Sequence, residues 1–261
     1  MITKRNFLKS IALGTGLVLS EGFLNIASGL ENKIEKSLDE VKKLQDEFKK
    51  NINGNNILDK NYLDLVLKNA TNMILNKTNN SQYFFYIDRN PDKQLGFVYF
   101  FDYLDKNVTL IGIDKISTGN PKRRGHFITP IGIYENTIKN FSYRALGTKN
   151  DEGWMGLGAK DSRVWDFGWQ KTDYNNENRD IRLLMHATDP FFGEKRLGKV
   201  DSKGCIRISS KLNKFLDHYG ILDKEYEEQK YLKNISWLLN PNREPVTYAG
   251  KYLLISDSKS F

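Results

Sequence analysis

The chain has 261 residues, of which 39% are hydrophobic and 12% aromatic, and this is enough to build a packed core and to exclude an intrinsically disordered protein. Its formal net charge of +8 favours an anionic partner such as a nucleic acid, a membrane surface or a polymer. The Lys residues are interleaved with Asp and Glu, and neither an RNA-binding aromatic motif nor zinc-finger spacing is present, so we predict no nucleic-acid partner.

The pattern of charged and apolar residues over 1–29 predicts an export signal or membrane anchor. Lys4 and Arg5 precede an uncharged run over residues 10–20 that is too short to span a bilayer. Small residues at 27–29 offer a cleavage site. We therefore expect an exported protein of the periplasm or cell envelope.

Residues 30–80 predict a helical segment. Between 30 and 50 the apolar residues recur at spacings of three and four among alternating charges, and Asp59 can cap a second helix after a polar break at 51–56. The two helices would form a hairpin that packs on the rest of the chain or docks a protein partner.

Residues 81–257 predict a mainly β domain, because aromatic and β-branched runs alternate with turn residues. No long helix interrupts the first four runs, so a mainly antiparallel sheet is expected. Residues 142–180 show no clear period, and a helix is expected over 210–219. The predicted strands cover residues 83–87, 97–101, 108–117, 128–134, 181–185 and 245–255.

Cys205 is the single cysteine, so an internal disulfide is excluded and the side chain is either buried and inert or a reactive thiol. A thiol with a pKa of about 8.5 is mostly protonated at neutral pH and needs a base, for which His186 is the candidate. Gly204 allows a tight turn whose N–H groups could face a developing oxyanion. Three separated His residues and one Cys are a poor metal set, so we predict neither metal nor cofactor.

Four sequence blocks, in chain order, share one pattern of residues. The blocks are Ile116-Ser117-Thr118-Gly119, Thr129-Pro130-Ile131-Gly132-Ile133-Tyr134, Met185-His186-Ala187-Thr188 and Ser202-Lys203-Gly204-Cys205-Ile206-Arg207-Ile208. Together they resemble the L,D-transpeptidases (YkuD-like domains), in which a His lies some fifteen residues before a Ser/Thr-His-Gly-Cys segment that is followed by an aliphatic residue and often Arg. The resemblance covers roughly residues 83–255 and implies an L,D-transpeptidase-like β-sandwich catalytic domain.

The resemblance implies a role in cell-wall biogenesis and cell shape, with peptidoglycan stem peptides as substrate. Cys205 would attack the carbonyl at the L-centre of the third residue of a tetrapeptide stem and expel the terminal D-Ala, with His186 as general base. An amine of a neighbouring stem would resolve the acyl-enzyme in a transpeptidase, and water would resolve it in an L,D-carboxypeptidase. Both outcomes stay open at the level of sequence.

The remaining site residues each have two interpretations. Lys203 stands where the family usually has His, and it could favour a thiolate or bind a carboxylate. Because Lys203 is not a neutral imidazole, a noncatalytic wall-binding protein of the same fold is a further alternative. Arg207 could hold a substrate carboxylate or brace the loop by a salt bridge, and Ser202 could bond to His186 or shape the turn.

Two more expectations concern the side chains of His186 and His126. The ring of His186 could be oriented by Thr188, by Asp189 or by a backbone carbonyl. His126 lies in a basic loop and is predicted to be a surface residue rather than a second base.

Overall fold

The structure is a computed structural model that describes residues 37–52, 58–174 and 177–261. The predicted export segment over residues 1–29 and the start of the predicted helical segment lie outside the described residues. Within those three ranges, no helix is both long enough and apolar enough to cross a membrane.

The described chain is mostly β. Runs of aromatic and β-branched residues form its central strands, as their propensity favours. The nine strands of the described ranges are β1 (Gln82–Asp88), β2 (Leu95–Asp102), β3 (Asn107–Ser117), β4 (Gly132–Glu135), β5 (Tyr143–Arg144), β6 (Arg163–Tyr174), β7 (Glu177–Ala187), β8 (Ile206–Ile208) and β9 (Tyr252–Ser256).

These strands form one curled, mixed sheet in the order β4-β9-β1-β2-β3-β8-β7-β6-β5. Six of the eight pairings are antiparallel, while β1 with β9 and β7 with β8 are parallel. A parallel pair needs a long crossover, and residues 188–205 supply one between β7 and β8. Hydrogen bonds connect all nine strands in this order, and the L,D-transpeptidase-like β-sandwich stays a prediction.

Helices cover both faces of the central strands. Val41, Leu44 and Phe48 of the first helix join the main core, and the second helix packs on the opposite face of β1 and β2. Every residue of β1 is buried for this reason. A protein partner for residues 30–80 stays a prediction. The helices are α1 (37–51), α2 (Lys60–Leu75), α3 (Ser210–His218), α4 (Lys224–Glu228) and α5 (Lys233–Leu238).

The predicted N-cap of α2 is present. Asp59 Oδ1 accepts the backbone N–H groups of Asn61 at 2.6 Å and Tyr62 at 3.3 Å. These bonds satisfy two donors that have no partner inside the helix, and so fix its first turn.

The segment 142–180 differs most from its prediction, because it holds β5, β6 and the start of β7. The alternation of β6 is interrupted by a register shift between Asp166 and Trp169, where Gly168 has φ +78°. A bulge of this kind breaks the period of two by which a strand is recognised in sequence. The predicted strands 128–134 and 245–255 are also shorter than expected, since they begin only at Gly132 and Tyr252.

Asp223 is the centre of a buried ionic cluster, and its substitution should lower the stability of the fold strongly. Its carboxylate is fully buried and accepts bonds from Arg163 Nη2 at 3.0 Å and Arg243 Nη2 at 2.9 Å. Replacing Asp223 with Ala leaves the buried guanidinium group of Arg163 without its ion-pair partner, while Arg243 keeps Glu227 at 2.7 Å. We expect the free energy of unfolding to fall by about 3–5 kcal/mol. Urea unfolding measures this loss.

Asp180→Ala is the matched control, because Asp180 pairs with Lys171 at an exposed position, with side chains 54% and 73% accessible. That change should cost less than about 1 kcal/mol. Equal losses in the two variants would contradict the importance of the buried cluster.

Candidate active site

Strands β7 and β8 set the positions of His186 and of the residues that follow Cys205. The strands pair with His186 opposite Arg207 and with Met185 opposite Ile206. Met185 and Ile206 are fully buried in the main core, so the alternation of side chains places His186 and Arg207 on the other face. Cys205 immediately precedes Ile206, the first residue of β8.

His186 is held as a neutral base. Its side chain is buried, and Nδ1 lies 2.8 Å from the carbonyl oxygen of Ala187. A carbonyl oxygen only accepts, so Nδ1 carries the proton and the lone pair of Nε2 is left for another partner. Burial lowers the pKa of His186 to about 4; the bond to Ala187 opposes this shift and the charge of Arg207 adds to it. The imidazole is therefore neutral at physiological pH.

Cys205 is a half-buried free thiol whose Sγ lies 3.9 Å from the carbonyl oxygen of Arg182. Burial raises the pKa of the Cys205 thiol, while the backbone of Leu184 and the charge of Arg207 lower it by less. The net shift is upward, so the resting thiol is protonated at neutral pH. Its conversion to a thiolate requires a neighbouring base.

The turn before Cys205 is fixed by two hydroxyl groups. Ser202 Oγ accepts the N–H of Gly204 at 3.0 Å and donates to the carbonyl oxygen of Cys205 at 2.5 Å. Thr129 Oγ1 donates to the carbonyl oxygen of Gly204 at 2.8 Å. Ser202 therefore shapes the turn, which is one of its two predicted roles. The N–H of Gly204 is already donated within the turn.

Residues 118–129 pack against this turn. The carbonyl oxygen of Thr118 accepts the N–H of Ser202 at 3.0 Å, and the N–H of Gly119 donates to Thr129 Oγ1 at 2.9 Å. A Cβ on Gly119 would lie 1.9 Å from a backbone oxygen, so the approach requires glycine. These contacts bring the Ser-Thr-Gly, Thr-Pro and Gly-Cys blocks together at one place.

The polar side chains around the turn have distinct positions. Lys203 is exposed, and the cation whose charge lowers the pKa of Cys205, against the larger effect of burial, is Arg207. Arg207 Nη1 lies 3.0 Å from Asp201 Oδ2, which is the bracing salt bridge of its two predicted roles. His126 is half-buried, with Nδ1 2.9 Å from the carbonyl oxygen of Ser202.

Three further residues lie in the same surroundings and were not predicted from the sequence: Tyr143, Asp166 and Arg182. Arg182 Nη2 lies 2.8 Å from Asp166 Oδ2. The pKa of the Tyr143 hydroxyl is raised by burial first and then by the charges of Asp166 and Cys205. The three residues come from β5, β6 and β7, and no local sequence pattern links them.

Asp189 ties two loops together rather than orienting His186. Its Oδ2 accepts the N–H of Met155 at 2.8 Å, and its Oδ1 accepts those of Phe191 at 2.8 Å and Phe192 at 2.9 Å. Burial raises the pKa of Asp189, but these bonds outweigh it and the net shift is downward. The imidazole is oriented by a backbone carbonyl instead.

Gly204 should be sensitive to any side chain. Its φ of +128° is disfavoured for L residues, and an added Cβ would lie 3.2 Å from Ile181 Cδ1. We expect Gly204→Ala to lose about 1–3 kcal/mol of stability and to lower kcat/KM at least about tenfold, because a small misplacement of a nucleophile is costly. Steady-state kinetics and thermal unfolding measure the two effects.

Gly153→Ala is the matched control, since Gly153 has φ +81° and an added Cβ there meets no atom within 4 Å. It should carry the backbone penalty without the kinetic one. Equal kinetic losses in both variants would mean that the turn before Cys205 has no special role.

The fold and the site define a mostly β protein with a neutral imidazole on β7 and a free thiol immediately before the neighbouring strand β8. The described ranges contain no group of three or more His, Cys, Asp or Glu residues that could hold a metal ion. Such a site has the groups required for nucleophilic chemistry by cysteine.

No family model and no curated protein matches the chain. Among solved structures it is similar to Bdellovibrio bacteriovorus Bd1075, with 15% identity over 68% of this chain and 48% of that chain and a TM-score of 0.34. It is also similar to a fused Zn-dependent amidase/peptidase/peptidoglycan-binding domain-containing protein from Clostridium acetobutylicum, with 16% identity, 76% and 63% coverage and a TM-score of 0.28. The helical cell shape determining protein Pgp2 from Campylobacter jejuni shows 16% identity, 73% and 55% coverage and a TM-score of 0.29. The chain spans less than two thirds of the length of each of these proteins.

Proposed function

We propose that the chain is an exported peptidoglycan L,D-transpeptidase-like enzyme that acts through an acyl-enzyme on Cys205. The observation that carries this proposal is that the protonated thiol of Cys205 immediately precedes β8, and that β8 pairs with β7, which holds the neutral imidazole of His186. The sequence blocks that resemble the L,D-transpeptidases pack around the same turn, which gives independent support.

In the proposed reaction, the Cys205 thiol transfers its proton to Nε2 of His186 as sulfur attacks the carbonyl carbon at the third residue of a tetrapeptide stem. The C–N bond to the terminal D-Ala breaks, and His186 returns the proton to the departing amine. The product is a thioester on Cys205 and free D-Ala. Burial keeps the imidazole, with its pKa of about 4, unprotonated at neutral pH, and it also makes the imidazole a weaker proton acceptor.

A nucleophile then attacks the thioester carbonyl carbon and gives one proton to His186. The C–S bond breaks, and the sulfur of Cys205 takes that proton from His186, which restores the thiol. An amine of a second stem gives a cross-linked dimer, and water gives a tripeptide. The hydroxyl of Tyr143, whose pKa is raised by burial, stays protonated and can donate a hydrogen bond beside the thiol.

The test is to incubate the full-length chain with disaccharide tetrapeptide and to analyse both products and protein by mass spectrometry. Release of D-Ala together with an acyl adduct on the peptide that contains Cys205 supports the proposal. Dimers identify a transpeptidase and tripeptides identify an L,D-carboxypeptidase. Absence of both turnover and adduct would contradict an enzymatic role and favour a noncatalytic wall-binding protein.

A further inference from the structure

Three arginine side chains converge on one carboxylate beside the candidate active site. Asp201 Oδ1 lies 3.1 Å from Arg123 Nη1 and 2.5 Å from Arg196 Nη2, and Asp201 Oδ2 lies 3.0 Å from Arg207 Nη1. Guanidinium groups stay charged at any physiological pH. The cluster therefore holds two positive charges more than its single carboxylate neutralises.

The other acidic side chains of the crossover loop do not neutralise these two remaining positive charges. Glu194 Oε1 accepts the backbone N–H of Ser210 at 2.8 Å, and the oxygens of Asp189 are bonded to backbone N–H groups. Among the described residues, Asp201 is the one carboxylate that forms an ion pair with Arg123, Arg196 or Arg207.

Two of the arginines are open to a ligand and are held in place. The side chain of Arg123 is 53% exposed and that of Arg196 is 32% exposed, whereas Asp201 is only 8% exposed. The guanidinium carbon of Arg196 also lies 4.7 Å from the centre of the Trp154 ring, which restricts its position. Because both guanidinium groups are anchored to one oxygen of Asp201, a second anion can bind them with little further ordering.

The cluster is continuous with the nucleophile. Arg207 lies two residues after Cys205, and its guanidinium shares Asp201 with Arg123 and Arg196. A ligand held by the two exposed arginines would therefore lie next to the loop that precedes Cys205. A carboxylate fits, because its two oxygens match the planar donor geometry of guanidinium groups.

We propose that Arg123 and Arg196, held side by side by Asp201, bind a carboxylate of the peptide substrate and so select anionic donor stems. This inference rests on the proposed function, and it names which chemical feature of the stem that site recognises. Arg207 pairs with the other oxygen of Asp201, Oδ2, and braces the loop before the nucleophile.

The test compares two disaccharide tetrapeptides that differ only in their stem side carboxylates, which are free in one and converted to carboxamides in the other. The terminal D-Ala carboxylate is free in both. With the full-length chain, KM should be about 5- to 20-fold lower for the free stem, which is the usual size of a partly exposed charged hydrogen bond. Arg123→Gln and Arg196→Gln should each reduce this preference by raising KM for the free stem, with kcat within about twofold.

Arg124→Gln is the matched control. Arg124 lies in the same loop and is exposed, and the structure gives it no ion pair with Asp201. This variant should change either KM less than about twofold, because a general loss of positive charge is screened by salt. An equal effect of Arg124→Gln and Arg123→Gln would overturn a specific carboxylate site.

Equilibrium binding to the Cys205→Ala chain, measured by calorimetry with the same two stems, separates this inference from the proposed reaction. Arginine-dependent preference for the free stem without any turnover by the unaltered chain would support the carboxylate site and contradict the enzymatic proposal. Equal affinity for both stems would overturn the carboxylate site, whatever the turnover. Loss of binding to anionic phospholipid vesicles in the arginine variants, with unchanged stem affinity, would also overturn it and assign the cluster to a membrane surface.

Discussion

Replacing Cys205 with Ala should abolish D-Ala release from tetrapeptide stems, with a fall in kcat of at least about 10⁴-fold. The reason is that the thiol is the proposed nucleophile, and Cys205 is the single cysteine of the chain, so no other thiol can form the thioester. Mass spectrometry of the protein after incubation should show an acyl adduct on the unaltered chain and none on the variant.

The loss should be kinetic rather than structural. Cys205 is half-buried and lies outside the main core, so its truncation to Ala should leave the thermal unfolding midpoint nearly unchanged. Substrate binding should also survive, because the arginine cluster does not involve the sulfur. Undiminished D-Ala release by Cys205→Ala would rule out the acyl-enzyme mechanism.

Replacing His186 with Gln should lower kcat by about 10²–10⁴-fold, because positioned base catalysis contributes a factor of this size. Gln keeps a polar side chain of similar length but cannot accept the thiol proton. KM should change little, since the imidazole is buried and offers no large surface to the substrate. Steady-state kinetics on the tetrapeptide measure both constants.

The pH profile distinguishes a base from a merely structural histidine. Burial lowers the pKa of His186 to about 4, so the unaltered chain should keep its kcat/KM down to about pH 4 and lose it tenfold per pH unit below that value. In His186→Gln this acid limb should disappear, and the remaining rate should rise with pH as the thiol ionises, since burial raises the pKa of Cys205. An acid limb near pH 6.5 in the unaltered chain would contradict a buried neutral imidazole.

Local sequence patterns were sufficient for α1, α2 and α3 and for most central strands, whereas the short helices α4 and α5 were not predicted. Asp59 caps α2 as its sequence position indicates, and Gly204 adopts the positive φ that its place before Cys205 suggested. These features depend on neighbours within a few residues, where capping, turn chemistry and hydrophobic period act directly.

The hydrogen-bonded order of the strands determines which residues lie near the Cys205 thiol. Tyr143, Asp166 and Arg182 lie near Cys205 because β5, β6, β7 and β8 are adjacent in the sheet. Their segment contains a bulge that hides the strand period, so a single sequence gives no sign of their proximity.

The amino-acid sequence by itself therefore determined that Cys205 and His186 are the chemical groups to examine, because block spacing and the solitary cysteine are properties of the linear chain. Only the tertiary structure decided which nitrogen of His186 is protonated and that Arg123 and Arg196 meet at Asp201. The physical reason is that protonation state, burial and ion pairing depend on atoms from distant segments, and these are brought together only when the sheet and its crossover loop are formed.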